Sequence, residues 1–276
     1  MIVRLIAVLL VALALPLAAG CGGGDDDRSP PSGPPQPREP LAEVLPRYEQ
    51  AAARQDCVAF ARFAHSSVRP AGRGTDDPPD AAECQNLARS YVHVEGFRSE
   101  RHQQFGSTGA VVEGTIAQQR VALVWTLDVD RRWKQVQATP PGAREQVRQP
   151  KRPSQFVQHA REWVDAQRRG DCRRVHRLFN VASPFVSGEQ ADARRFCSRY
   201  AEGRRNRQTL PAQLERSPAA RPVDLGGTPD FHFFGVETRG GGYWTIVMAT
   251  LPPSLPPAGH VEDSVLDYYP NRRPAP

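Results

Sequence analysis

The chain carries five cysteine residues, and their spacing favours cross-linking over metal binding. Four of them form two pairs, Cys57 with Cys84 and Cys172 with Cys197, separated by 27 and 25 residues. No CxxC motif occurs and no histidine stands at ligand spacing beside them, which disfavours a zinc site. In an oxidising compartment each pair would form a disulfide, worth about 3.5 kcal/mol through the entropy of its loop. The odd cysteine, Cys21, needs a separate explanation.

Residues 1–20 have the three parts of an export signal: Arg4, an apolar run over Leu5–Leu17, and the small residues before Cys21. The run is shorter than the roughly 20 residues that span a bilayer. Leu17-Ala18-Ala19-Gly20-Cys21 resembles the bacterial lipobox, although Ala18 holds the place usually taken by leucine. The resemblance implies a lipid on Cys21 and an anchor at the extracytoplasmic face of the cell membrane. The alternative is an ordinary signal peptide with an incidental cysteine.

The segments outside the expected domains are rich in glycine, aspartate and proline. Residues 21–40 contain a Gly triplet, an Asp triplet and a proline-rich stretch. Such a composition buries too little apolar surface to fold, so we predict a disordered tether. Residues 140–153 are predicted as a linker and residues 252–276 as a proline-rich tail.

A repeated pattern divides the rest of the chain into two domains, 41–139 and 154–251. Asp56-Cys57 matches Asp171-Cys172, and Trp133-Lys134-Gln135-Val136-Gln137-Ala138-Thr139 matches Trp244-Thr245-Ile246-Val247-Met248-Ala249-Thr250. Landmarks in the same order at similar spacing predict two homologous copies.

Within each copy, helical patterns precede strand patterns. Leu41, Val44, Leu45, Tyr48 and Ala52 mark one helix face, and Phe156, Val157, Ala160, Trp163 and Val164 mark another. Gly170 can end the second of these helices, and Asp171 can cap the next. Asp80 and Glu83 resemble a capping box that opens a third helix along Cys84, Leu87, Ala88 and Tyr91. Each cysteine pair would then join a second helix to a third.

Strand patterns follow over residues 109–116, 120–129 and 131–138, and over residues 231–238 and 243–249. Helices ahead of an antiparallel sheet predict an α+β fold. The Gly170-Asp171-Cys172 turn and the Trp244-Thr245-Ile246-Val247 strand resemble the nuclear-transport-factor-2-like family. The resemblance implies two tandem cone-like domains, each with N-terminal helices packed on a curved antiparallel sheet and with a pocket at the open end.

Pocket candidates under that resemblance are Tyr91, His93, Tyr200 and His232. His232 stands between Phe231 and Phe233. The alternative to a pocket role is that it is a histidine on the solvated or rim side of a strand. HExxH, GxSxG, P-loop and GxGxxG motifs are absent from the sequence, and we expect no metal or cofactor.

The leading functional hypothesis is a non-catalytic lipoprotein of the cell envelope that binds a small apolar ligand or an envelope protein. The alternatives are a structural accessory of cell-wall synthesis, and an isomerase- or hydrolase-like enzyme that uses one cone. The net charge is +6, and arginines cluster in the second domain. That cluster is either a solvated face or a contact with an anionic surface. Nucleic acid is not an expected partner, because no basic strand is interleaved with aromatics.

Overall fold

The computed structural model describes residues 32–65, 77–85, 96–138, 153–178, 192–249 and 264–273. The elements fall into two successive groups, and in each group helices precede four strands. The fold is therefore α+β, as predicted, with two four-stranded antiparallel sheets.

The first group begins with α1 (Leu41–Arg54) and α2 (Cys57–Ala61). The predicted apolar stripe of α1 is buried. Gln55 ends α1 in the left-handed region, with φ of 52°. The Asp56 carboxylate accepts a hydrogen bond of 3.0 Å from the N–H of Ala59 and so caps α2.

The helices of the second group are α3 (Pro153–Arg169), α4 (Cys172–Leu178), α5 (Ala193–Arg205) and α6 (Leu210–Glu215). Gly170 ends α3 with φ of 70°, a conformation that glycine adopts without a Cβ clash. The Asp171 carboxylate accepts a hydrogen bond of 3.0 Å from the N–H of Arg174 and caps α4. Both predicted helix boundaries are confirmed.

Both predicted disulfides are present, Cys57–Cys84 and Cys172–Cys197. The second bond joins α4 to α5, as expected. The first joins α2 to residues 81–85, which are helical. Asp80 caps that segment by accepting a hydrogen bond of 2.8 Å from the N–H of Glu83. Leu87, Ala88 and Tyr91 of the predicted third helix lie outside the described residues.

Each sheet is a meander in which consecutive strands are neighbours. The first contains β1 (Arg98–Phe105), β2 (Gly109–Ile116), β3 (Gln119–Leu127) and β4 (Trp133–Ala138), and the second contains β5 (Val223–Gly227), β6 (Phe231–Thr238), β7 (Gly242–Ala249) and β8 (Ser264–Arg272). The five predicted strands correspond to β2, β3, β4, β6 and β7, with bounds that shift by at most two residues.

The three strands that the sequence pattern did not predict, β1, β5 and β8, are edge strands. All of β1 except Ser99 and Phe105 is exposed, so it lacks the apolar alternation of a half-buried strand. Residues 252–276 were predicted as a tail, but Ser264–Arg272 form β8 and pair with β7 along its length. The second sheet therefore extends beyond the predicted boundary at residue 251.

The matching of Trp133 with Trp244 in the sequence repeat was wrong by one strand. Trp244 lies on β7, the third strand of its sheet, whereas Trp133 lies on β4, the fourth strand of the other. The counterpart of Trp244-Thr245 is Trp125-Thr126 on β3. Both tryptophans pack against the helices of their own half, and both threonines point to the opposite face of the sheet.

The two halves pack together sheet against sheet. One hydrophobic core cluster contains residues of both sheets. The first sheet contributes Phe105, Val111, Ala122 and Val124, and the second contributes Phe231, Phe233, Val247, Ala249 and Tyr269. Phe105 and Phe233 stack with ring centroids 5.2 Å apart. The order of layers is helices, sheet, sheet, helices, so the central strands of both sheets are buried on two faces.

A buried hydrogen-bond network crosses this sheet interface beside the apolar cluster. The Thr245 hydroxyl donates to Oδ1 of Asn271 at 2.6 Å, and Oγ1 of Thr245 lies 2.8 Å from Oγ1 of Thr108, within hydrogen-bond distance. The Asn271 amide donates to Oγ1 of Thr126 at 3.0 Å. Satisfied polar groups of this kind fix the register of two packed sheets, because a shift would leave them unpaired.

The last part of the predicted tether, residues 32–40, is ordered and contacts both halves. The N–H of Gly33 donates to Oε1 of Glu237 at 3.0 Å, and the Ser107 hydroxyl donates to the carbonyl of Pro35 at 2.8 Å. Pro35 is buried. The prediction of a disordered tether over residues 21–40 was therefore wrong for residues 32–40, because a proline-rich backbone can still pack onto a surface that offers hydrogen-bond partners.

Candidate functional site

A cleft of about 310 Å³ lies where the edge of the first sheet meets the β5–β6 turn of the second half. Its lining comes from β1 and β2 on one side and from the turn on the other: Arg101, His102, Gln103, Val111, Glu113, Gly227, Thr228 and Pro229. This volume is large enough for a few side chains of a bound peptide or for a small polar molecule.

The wall formed by the first half carries charges of both signs. Arg101 on β1 and Glu113 on β2 form an ion pair, and this hydrogen bond raises the pKa of Arg101 above its ordinary value. The Arg101 side chain is 73% exposed, so the pair is screened by solvent and contributes little to stability. His102 and Gln103, also exposed, add hydrogen-bonding groups beside the pair.

The opposite wall is a tight turn that its own side chain supports. Oγ1 of Thr228 accepts hydrogen bonds from the N–H groups of Asp230 and Phe231, at 3.3 and 3.1 Å. Gly227 is paired with His232 across the turn, and a Cβ at Gly227 would stand 2.8 Å from Nδ1 of that histidine. The same Cβ would stand only 2.2 Å from the carbonyl oxygen of Phe231, so glycine is required for the two backbones to approach so closely.

His232 is buried on the helix-facing side of β6, behind this wall. Its ring stacks on Phe156 at the start of α3, with centroids 5.1 Å apart, and lies 5.0 Å from the ring of Phe234. Nε2 of His232 lies 2.6 Å from Oδ1 of Asp224, whose side chain is 42% exposed at the sheet edge. The alternative, a histidine on the solvated or rim side of a strand, is wrong in its solvated form, because His232 is 4% exposed and only its carboxylate partner reaches solvent at the sheet edge.

Tyr200, the second candidate, belongs to the helix layer. Its hydroxyl donates to the carbonyl of Gln167 at 3.1 Å, and the Arg204 guanidinium donates to the same carbonyl at 3.0 Å. Burial raises the pKa of Tyr200. The hydroxyl thus satisfies the end of α3 instead of facing an open pocket.

The structure does not bring Tyr200 and His232 together. His232 contacts Phe156 near the start of α3, whereas Tyr200 contacts Gln167 near its end. Eleven residues of helix correspond to about 16 Å along the axis. The other two candidates, Tyr91 and His93, lie outside the described residues.

A buried histidine that the sequence pattern did not single out lies at the sheet interface. His65 is fully buried, and its Nε2 lies 3.7 Å from Oδ1 of the equally buried Asp128. Its ring lies 5.0 Å from that of Tyr269 in the other half. Burial lowers the pKa of His65, while Asp128 opposes that shift. No local signal marks His65, because its burial depends on contacts distant in sequence.

A second buried charge lies near this histidine. Lys134 on β4 is 1% exposed, and its ammonium group donates to the carbonyl of Arg62. The positive charge of Lys134 also acts to lower the pKa of His65. The first half thus encloses several ionisable groups next to its partner half, where their charge states affect packing.

Large side chains of the chain itself fill the space between helices and sheet. Tyr48 of α1 is fully buried and packs edge-on against Trp125 of β3, with centroids 5.0 Å apart. Trp163 of α3 is fully buried against Tyr268 of β8 at 5.3 Å. An apolar ligand in either half would have to displace one of these aromatic contacts.

Within the described ranges, no group of three histidine, cysteine or acidic side chains is arranged to hold a metal ion. Over the same residues, no helix combines the length and apolar character needed to cross a bilayer. No protein-family model matches the chain, and comparisons with curated proteins and with solved structures give no match.

Proposed function

We propose that the chain is an extracytoplasmic lipoprotein, anchored to the cell membrane through Cys21, that serves as a non-catalytic protein-binding scaffold of the cell envelope. The observation that carries the proposal is the use of the cysteines. Four of five lie in two intradomain disulfides, which are typical of an oxidising compartment. Cys21 is the thiol left over, and it follows an apolar leader and small residues.

The family resemblance adds to this proposal. Each half has a long helix packed over a four-stranded meander, an arrangement compatible with a nuclear-transport-factor-2-like cone. In such a cone the pocket would lie between helix and sheet. Tyr48 and Trp163 occupy that space, which favours recognition at the surface over enclosure of a small apolar ligand.

The cleft between the halves is the surface we assign to the protein partner. Its Arg101–Glu113 pair, His102 and Gln103 offer donors and acceptors, and the exposed edge strand β1 leaves backbone groups for a partner strand. A peptide that adds a strand to β1 would place alternate side chains in the cleft. The buried position of His232 favours this binding role over acid–base catalysis.

The anchor is tested by mass spectrometry of the N-terminal peptide and by membrane fractionation. The wild-type peptide should begin at a lipid-modified Cys21, and Cys21→Ser should leave the membrane fraction. The matched control replaces Cys172 and Cys197 together by serine, which removes a disulfide-bonded cysteine pair but leaves the lipid site. A free thiol at Cys21 in the exported protein would contradict the proposal.

The binding surface is tested by site-specific photo-crosslinking in intact cells. A photoreactive residue at Gln103, inside the cleft, should give a discrete crosslinked protein. The control position is Arg120, which is exposed near the start of β3 and does not line the cleft. Identical crosslinking patterns from the two positions would reject the cleft as the recognition surface.

A further inference from the structure

Five exposed arginines lie together at one end of the second half, which we call the arginine pole: Arg205, Arg207, Arg216, Arg221 and Arg239. They come from the end of α5, from the residues around α6 and from the β6–β7 turn. The Arg216 guanidinium donates to the carbonyl of Arg207 at 2.7 Å, and the N–H of Arg239 donates to Oγ of Ser217 at 2.8 Å. These contacts join the three segments into one continuous surface.

The arginine pole is unbalanced in charge. None of its five guanidinium groups forms an ion pair with a carboxylate of the described residues. Two acidic residues at its border are already engaged, Glu215 with Arg204 at 2.8 Å and Glu237 with Arg272 at 3.4 Å, and Glu202 is exposed one turn before Arg205 on α5. Elsewhere, exposed arginines such as Arg47 do pair with a carboxylate. Clustered positive charges without carboxylate partners attract an anionic surface.

The N-terminal segment arrives at this same end of the molecule. The N–H of Gly33 is hydrogen-bonded to Glu237, two residues before Arg239. Eleven residue steps separate Cys21 from Ser32, the first described residue, so their Cα atoms are at most about 40 Å apart. A lipid on Cys21 would therefore hold the arginine pole near the bilayer.

We infer that the arginine pole lies against the anionic phospholipid headgroups of the membrane to which the chain is tethered. This inference rests on the proposed lipid anchor at Cys21. The contact would orient the molecule, with the second half toward the bilayer. It deepens the proposed scaffold role, because a fixed orientation determines which face an envelope partner meets.

The test is arginine-directed dicarbonyl labelling of the full lipidated chain, quantified for each arginine by mass spectrometry. The protein is placed in phosphatidylcholine vesicles with or without 30 mol% phosphatidylglycerol (roughly −30 mV surface potential). Arginines of the pole should label about fivefold more slowly in the anionic vesicles, since about 1 kcal/mol per contact corresponds to that factor. Arg54 and Arg120, exposed in the first half, should label at the same rate in both vesicles.

Salt and charge variants separate this contact from other sources of protection. Salt at about 1 M, with a screening length of roughly 3 Å, should abolish the difference between vesicles. The Asp triplet of the tether is the competing occupant. Protection that occurs without anionic lipid and disappears when Asp25, Asp26 and Asp27 are replaced by asparagine would overturn the inference, as would equal labelling of the pole in both vesicles.

Failure of the anchor can be told apart from failure of the pole. If the N-terminal peptide carries no lipid, the chain is sedimented with anionic vesicles instead. The inference then requires binding that Arg207→Gln with Arg239→Gln weakens at least tenfold, while Arg54→Gln with Arg120→Gln, a matched loss of charge, leaves it unchanged. A lipidated chain with uniform labelling keeps the anchor and refutes the pole.

Discussion

Gly109→Ala should destabilise the protein, because Gly109 allows the two sheets to pack closely. Gly109 is buried at the start of β2, and a Cβ there would stand 2.8 Å from Cγ of Phe233 and closer still to its Cδ1. Real Cβ atoms essentially never approach within 3.0 Å. The backbone of Gly109 is outside the left-handed region, so the strain of an alanine would come from this contact alone.

The expected magnitude follows from two opposing effects. Phe233 is fully buried and stacked on Phe105, so its ring has little room to move and the sheets must separate. Overpacking of this kind costs about 1–3 kcal/mol. Replacement of glycine by alanine also reduces the entropy of the unfolded chain, which stabilises by about 0.4–1 kcal/mol. The net loss in free energy of unfolding should be about 1–2 kcal/mol.

The assay is urea denaturation followed by tryptophan fluorescence, with Gly203→Ala as the matched control. Gly203 lies inside α5, and an added Cβ there meets nothing within 4 Å. Alanine should therefore stabilise that helix by up to about 1 kcal/mol. Phe233→Leu in the Gly109→Ala background should cost less than the sum of the single changes. A Gly109→Ala protein as stable as wild type, with an unchanged m-value, would refute the packing argument.

Three further predictions concern pH and cross-links. Burial lowers the pKa of His65 from its ordinary value of 6.5, so its contribution to stability should be present above pH 6.5 and lost as the pH falls toward the folded pKa. Chemical denaturation should show a flatter pH dependence for His65→Gln than for the wild type, and equal slopes would contradict the burial argument. Burial raises the pKa of Tyr243 to about 12, so the free energy of unfolding should fall as the pH rises from 10 toward 12. Tyr243→Phe should remove this pH-dependent loss of stability, and an equal loss in both proteins would contradict the prediction. Replacing Cys172 and Cys197 together by alanine should lower the free energy of unfolding by about 3.5 kcal/mol in urea titrations, because the unfolded chain regains the entropy of a 25-residue loop. A change below about 1 kcal/mol would count against loop entropy as the source of the stabilisation.

Features that depend on neighbouring residues were predictable. Gly170 and Asp171 end one helix and cap the next because a positive φ and a carboxylate acceptor act within a few residues. The strands β6 and β7 were predicted correctly because both are rich in aromatic and β-branched residues. The disulfide pairs followed from the similar separations of 27 and 25 residues.

The repeat shows where sequence spacing becomes ambiguous. Trp125 and Trp133 stand 68 and 76 residues after Cys57, and Trp244 stands 72 residues after Cys172. Spacing therefore favours neither as the counterpart of Trp244. Strand order decides for Trp125, because only β3 and β7 hold the third place in their sheets. Strand β1 was missed because its exposed residues show no apolar alternation, and β8 was missed because it lies in a proline-rich stretch and itself contains Pro270.

The amino-acid sequence by itself determined the helix caps, the central strands, the cysteine pairing and the α+β class, since each of these depends on local chemistry or on a repeated pattern. Only the tertiary structure decided that the two sheets share a core, that His65 and Lys134 are buried, and that Gly33 of the N-terminal segment lies beside Glu237. The physical reason is that these features arise from contacts between residues far apart in the chain, where burial and charge depend on which surfaces meet.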